Sequence, residues 1–230
     1  MTALVVLPGL DGTATFHAEF VTSASPSFDA ISVVSYPPDK CLDYAALEIL
    51  VRGSLPQTTP FVLLGESFSG PIALSIAARP PPNLVGLALS TSFAKSPVPL
   101  PPPFAALTSI APVRSLPLPL LSWLLLGRWA TPQLKTSLHS ALQAVRPDVL
   151  RFRAAVAIRA NASALLNTIT VPALYLRATQ DRLLSRAAGD QILSAIPRCT
   201  VADIAGPHLL LQAAPKECAR VLGDFAMHLG

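Results

Sequence analysis

Ala3 to Leu7, Ile31 to Ser35, Phe61 to Gly65 and Leu84 to Ser90 are short runs made mostly of Val, Ile, Leu and Ala, without strict polar alternation. Such runs are expected of strands covered on both faces, and stretches of helical length fall between them at Asp43 to Leu55 and Ser69 to Arg79. This alternation predicts an α/β protein with a mostly parallel sheet and helices on both faces. Asp43 is placed to cap the first of those helices.

The pattern breaks at Ser96, where Pro97, Pro99, Pro101, Pro102 and Pro103 are followed by Pro112, Pro117 and Pro119. Proline lacks an amide donor and obstructs helix interiors, so an extended path or very short helices are expected there. Pro132 to Val145 and Pro147 to Ala160 then read as helices, each opening on a proline tolerated in the first turn. The earlier pattern returns with strands at Val171 to Arg177 and Thr200 to Ile204 and helices at Leu184 to Ile196 and Leu209 to His228. Residues 1–95 and 168–230 are therefore expected to form one core, with 96–167 inserted into it. No repeat is visible.

Composition narrows the class. The 230 residues are 51% hydrophobic and 13% charged, against roughly 25% charged in an ordinary domain, which excludes a disordered chain. Leu116 to Leu126 is the longest membrane candidate, but Pro117, Pro119 and Ser122 cut it well short of about 20 apolar residues. The N-terminal run has no basic flank and no small-residue cleavage site, so a cytoplasmic protein is expected. Cys41, Cys199 and Cys218 have no metal-ligand spacing and do not form a disulfide framework. No acidic residue occurs between Glu66 and Asp148, and residues 96–167 carry seven basic side chains against Asp148, a net of +6. No nucleic-acid motif accompanies them, so a nucleic-acid partner is not expected.

Phe61-Val62-Leu63-Leu64-Gly65-Glu66-Ser67-Phe68-Ser69-Gly70-Pro71 sets a serine between a predicted strand and a predicted helix, with small residues two before and two after it. A nucleophile on a sharp turn needs those small neighbours, although glycine is commoner than serine at position 69. On this segment the chain resembles the α/β-hydrolase family. In the family's order of nucleophile, acid and histidine, Asp181 follows the strand that begins at Val171, and His208 follows the strand ending near Ile204. The loop at Ser90-Thr91-Ser92-Phe93, where many members carry the acid, has none; Asp181 is the expected acid and Asp203 the substitute. Ser67 needs His208 to take its proton, and His208 needs a carboxylate to hold its tautomer.

The resemblance implies an α/β-hydrolase fold of about six strands, lacking the first two of the usual eight, with residues 96–167 as a helical, proline-rich cap. It assigns the oxyanion donors to the backbone amides of Leu10, in Leu7-Pro8-Gly9-Leu10-Asp11-Gly12, and Phe68. Asp11-Gly12 reads as a turn pair. Trp123 in the apolar cap stretch, and His17, are candidates for the substrate pocket, although His17 also fits a surface helix; Glu66 reads as structural. The implied reaction is cleavage of carboxylic esters with small to medium apolar acyl groups, with no cofactor or metal. The alternatives are a thioesterase or esterase acting on acyl groups held by coenzyme A or by an acidic carrier protein docked on the basic cap, and a non-catalytic ligand receptor.

Overall fold

A computed structural model describes residues 2–96 and 117–229. Six strands form one sheet: β1 (Ala3–Leu7), β2 (Ile31–Val33), β3 (Phe61–Glu66), β4 (Leu84–Ser90), β5 (Ala173–Ala178) and β6 (Cys199–Ile204). Their order is β2-β1-β3-β4-β5-β6 and every pairing is parallel. The chain runs outward to β2, returns past β1 to β3, and then advances in one direction. The order thus reverses between β1 and β3, and it is at the carboxyl end of such a switch point that open α/β sheets bind ligands.

Alternate side chains enter opposite cores, as the two-residue period of a strand requires. Val5, Leu7, Phe61 and Leu63 pack under α2 (Tyr44–Ser54) and α3 (Gly70–Ala78). Leu4, Val6, Val62 and Leu64 pack with Phe20 of α1 (Ala18–Ala24). Asp43 caps α2, its carboxylate accepting from Ala46 N at 2.9 Å.

The connection from β4 to β5 holds α4 (Leu118–Leu125), α5 (Pro132–Gln143) and α6 (Pro147–Ile158), with Pro132 and Pro147 in the first turns as expected. The prolines from Pro97 to Pro112 lie outside the described residues. A bridge between Lys95 and Asn161 pinches the base of this connection, and Ala160, Ala162 and Leu166 already belong to the core. The chain thus rejoins the core before residue 168. Beyond it come α7 (Arg186–Ala195), α8 (Leu210–Ala213) and α9 (Pro215–Met227). The single helix expected over 209–228 is interrupted because Pro215 has no amide to donate and disfavours a helical residue before it; Ala214 sits at φ −133°, ψ 52°. Among the described residues no helix is long and apolar enough to cross a membrane.

Candidate active site

β3 ends at Glu66 and the chain turns through a short 3-10 helix, Ser67–Ser69, into α3. Ser67 takes φ 44°, a left-handed conformation that few non-glycine residues adopt. The turn is tight: a Cβ on Gly65 would fall 2.7 Å from the Cβ of Ala73. At the other small position, the Ser69 hydroxyl donates to Pro8 O and accepts from Tyr36 Oη at 2.7 Å. Serine here ties the turn to the loop after β1.

Asp181 and His208 stand beyond the carboxyl ends of β5 and β6. Ser67 Oγ lies 2.8 Å from His208 Nε2, and His208 Nδ1 lies 2.8 Å from Asp181 Oδ2. With Nδ1–H donated to the carboxylate, Nε2 is left to accept from the serine hydroxyl. Asp181 is fixed in turn, its Oδ1 accepting from Leu183 N and Leu184 N at 2.8 and 2.9 Å. The substitute acid, Asp203, is engaged instead by Arg177 and Arg186.

The loop after β4, which has no carboxylate, supports this arrangement. Thr91 Oγ1 donates to His208 O at 2.9 Å, and Ser92 Oγ donates to Ser67 O at 2.6 Å. Tyr175 Oη donates to Ser92 O at 2.7 Å and accepts from Ser92 N at 3.1 Å. The only sequence cue to these roles was three consecutive hydroxyl residues, Ser90-Thr91-Ser92, at the end of an apolar strand.

Ser67 and His208 open onto a cavity of about 260 Å³ whose wall is almost wholly apolar. Leu10 and Phe68 border it, as do Leu121, Leu124 and Leu125 of α4. Phe68 lies in the first turn of a 3-10 helix, where amides have no partner within the helix. A larger open groove, about 560 Å³, runs past Pro172, Arg198 and Cys199 at the amino ends of β5 and β6, away from Ser67.

Two of the expected pocket residues lie elsewhere. Trp123 is 57% exposed and is absent from this cavity wall; Arg182 stacks on its ring at 4.7 Å and donates to its carbonyl at 2.8 Å. On α4 the faces carrying Leu121, Leu124 and Leu125 turn inward and Trp123 faces out. His17 is neither on the surface nor on the cavity wall: it is 1% exposed, with Nε2 2.7 Å from Glu66 Oε2. Burial lowers the affinity of His17 for a proton, but the Glu66 carboxylate outweighs this and raises its pKa. Burial likewise pushes the Glu66 carboxyl up, and the His17 charge overcomes it, so its pKa is lowered. The two form a buried ion pair at the residue before Ser67. Arg153 is also internal, at 1% exposure, so it does not contribute to a basic docking face; Arg146 is paired with Asp148.

A family model described as serine aminopeptidase, S33, matches residues 41–209. The chain belongs to that α/β-hydrolase family. No curated protein matches the hydrolase in sequence. Among solved structures it is similar to the enol-lactonase from Burkholderia xenovorans LB400, with TM-score 0.80 and 17% identity over 98% of this chain and 91% of that one. It is similar to a thermophilic esterase from Thermogutta terrifontis, with TM-score 0.81 and 16% identity over 100% and 90%. A bromoperoxidase from Bacillus anthracis matches with TM-score 0.81 and 14% identity over 98% and 92%. At these identities the likeness is one of fold. The six-stranded parallel sheet expected from the sequence is the one the hydrolase has. Among its described residues no cluster of three or more His, Cys, Asp or Glu is arranged to hold a metal ion.

Proposed function

We propose that the protein is a serine esterase that cleaves carboxylic esters of small to medium apolar acyl groups, with Ser67, His208 and Asp181 as its catalytic triad. The observation that carries this reading is a continuous hydrogen-bonded chain from Asp181 through His208 to Ser67, ending on an apolar cavity. Ser67 Oγ attacks the ester carbonyl as His208 Nε2 takes its proton, and Asp181 stabilises the imidazolium that forms. The amides of Leu10 and Phe68 receive the oxyanion. Collapse expels the alcohol, protonated by His208, and leaves an acyl-Ser67 ester. Water, deprotonated by His208, then attacks that ester; the acid leaves and Ser67 recovers its proton.

The wall favours an apolar acyl group. At about 260 Å³ the cavity falls just below the usual range for drug-sized ligands, which fits a short or medium chain. Peptides with a free amino terminus fit less well. Asp11 is the one carboxylate bordering the cavity among the described residues, and its Oδ2 already accepts from Thr13 N at 2.9 Å and from the Thr13 hydroxyl. Burial raises the Asp11 carboxyl above its ordinary value despite those bonds.

Intact-mass spectrometry after a fluorophosphonate probe, beside hydrolysis of p-nitrophenyl esters from acetate to decanoate, tests the reading. One adduct at Ser67 is expected, absent in Ser67→Ala and His208→Ala, with turnover highest at short or medium chains. Folded wild-type protein that neither labels nor turns over would overturn it.

A further inference from the structure

Five consecutive carbonyls of the loop after β1 are hydrogen-bonded. Pro8 O accepts from Ser69 Oγ, Gly9 O from Gly12 N at 3.0 Å, and Gly12 O from Tyr36 N at 2.9 Å. Leu10 O and Asp11 O both accept from Arg153 Nη1, at 3.1 and 2.8 Å. A trans peptide points its C=O and N–H in opposite directions, so holding these carbonyls fixes where the intervening amides point. The amide of Leu10 belongs to the peptide whose carbonyl, Gly9 O, is closed into the turn. Arg153 locks the next two peptides through their carbonyls.

The approach of Arg153 is close enough to dictate the sequence beside it. Gly12 has φ 69°, and a Cβ there would fall 2.5 Å from Arg153 Nη1 and 2.9 Å from Tyr36 Cβ. Arg153 Nη2 reaches Pro37 O at 2.9 Å, and its guanidinium lies 5.6 Å from the Tyr36 ring centroid. Its hydrogen bonds go to three carbonyls and not to a carboxylate, and Nε has no partner. A buried cation placed in this way is a poor source of stability, since an apolar side chain of similar volume usually serves as well or better. A planar guanidinium can do what such a side chain cannot, which is to grip neighbouring carbonyls in fixed geometry.

We propose that Arg153 is a positioning residue for ester cleavage, holding the Leu10–Asp11 turn so that the Leu10 amide meets the oxyanion; this rests on the esterase reading above. The grip is supplied by α6, whose Ala154, Ala157 and Ile158 also line the cavity.

The test compares Arg153→Ala and Arg153→Lys with wild type on p-nitrophenyl esters, with and without guanidinium at tens of millimolar, after circular dichroism has checked the fold. Loss of an oxyanion donor lowers kcat by about 100-fold or more, and a fall of that order is expected in Arg153→Ala with KM changed by about twofold or less. Arg153→Lys should retain part of the activity, and guanidinium should restore part of it to Arg153→Ala. Unchanged kcat in either folded variant, a loss confined to KM, or a loss that guanidinium leaves untouched would overturn the proposal. If Arg153→Ala does not fold, Arg153→Lys alone decides, and wild-type kcat in it is the overturning result. Wild-type protein that is itself inert toward probe and esters overturns the esterase reading and this role together. Wild-type turnover beside unaffected variants overturns this role alone.

Discussion

Ser67 and Thr91 both hold left-handed backbone, at φ 44° and 43°, on neighbouring strand ends. Such residues carry strain on the order of 1–3 kcal/mol and persist only where their surroundings over-determine them. Here the surroundings are the Ser92 bond to Ser67 O and the Thr91 bond to His208 O. That Ser67, Asp181 and His208 would come together was legible from sequence, because the proposed chemistry dictates the residue types and each sits where a predicted strand ends. The His17–Glu66 pair was not, since its members lie 49 residues apart and local patterns carry no trace of their meeting. This pair should mark the pH dependence of stability. The His17 pKa is raised from 6.5, so its contribution is full below about 6.5 and is lost as pH rises through the folded value. The Glu66 pKa is lowered from 4.5, so its contribution is full above about 4.5 and is lost as pH falls through the folded value. His17→Leu should therefore cost most between these limits, about 3 kcal/mol with the Glu66 charge left unpaired. Urea unfolding at pH 4, 5.5 and 8 checks this, and a cost that does not vary with pH would contradict it.

The elements were read correctly where one local rule governed them. Strands covered on both faces give apolar runs, and Asp43, Pro132 and Pro147 open helices by their own chemistry. Orientation was harder to read. An apolar stretch such as that around α4 does not say which side faces the serine, and Trp123 proved to be outside while Leu124 is on the cavity wall. Arg153 did leave a signal: it lies on the helical stripe of Val149, Leu150 and Ala157, all buried, where a cation is out of place. The inward face of α4 carries its own prediction. Leu124→Trp should fill part of the cavity and lower kcat/KM for octanoate and decanoate esters at least tenfold relative to acetate. The p-nitrophenyl series measures this, and an unchanged chain-length profile would remove α4 from the acyl site.

At the scale of the molecule, the order reversal between β1 and β3 sets the turn after β1 beside the turn after β3, so the proposed oxyanion loop and nucleophile are neighbours by topology. The connection between β4 and β5 is fastened to the core at several separate points. Arg146 N donates to Pro38 O at 3.0 Å and Leu209 N to Leu125 O at 3.1 Å, while Ala162 N donates to Ala94 O at 2.7 Å and closes the base of the connection on itself. Arg153 fastens it again from within α6. These ties predict that the connection and the sheet melt together, as one calorimetric transition with equal calorimetric and van't Hoff enthalpies. A separate low-temperature peak would show instead that α4 to α6 fold as an independent unit. The separation of 141 residues between Ser67 and His208 also acts in time. At about 5–20 residues per second, synthesis leaves Ser67 without His208 for roughly 7–28 s, and longer until β6 docks. On the esterase reading, a growing or truncated copy therefore carries a serine that is chemically ordinary, and the protein arms itself only when the last strand closes the sheet.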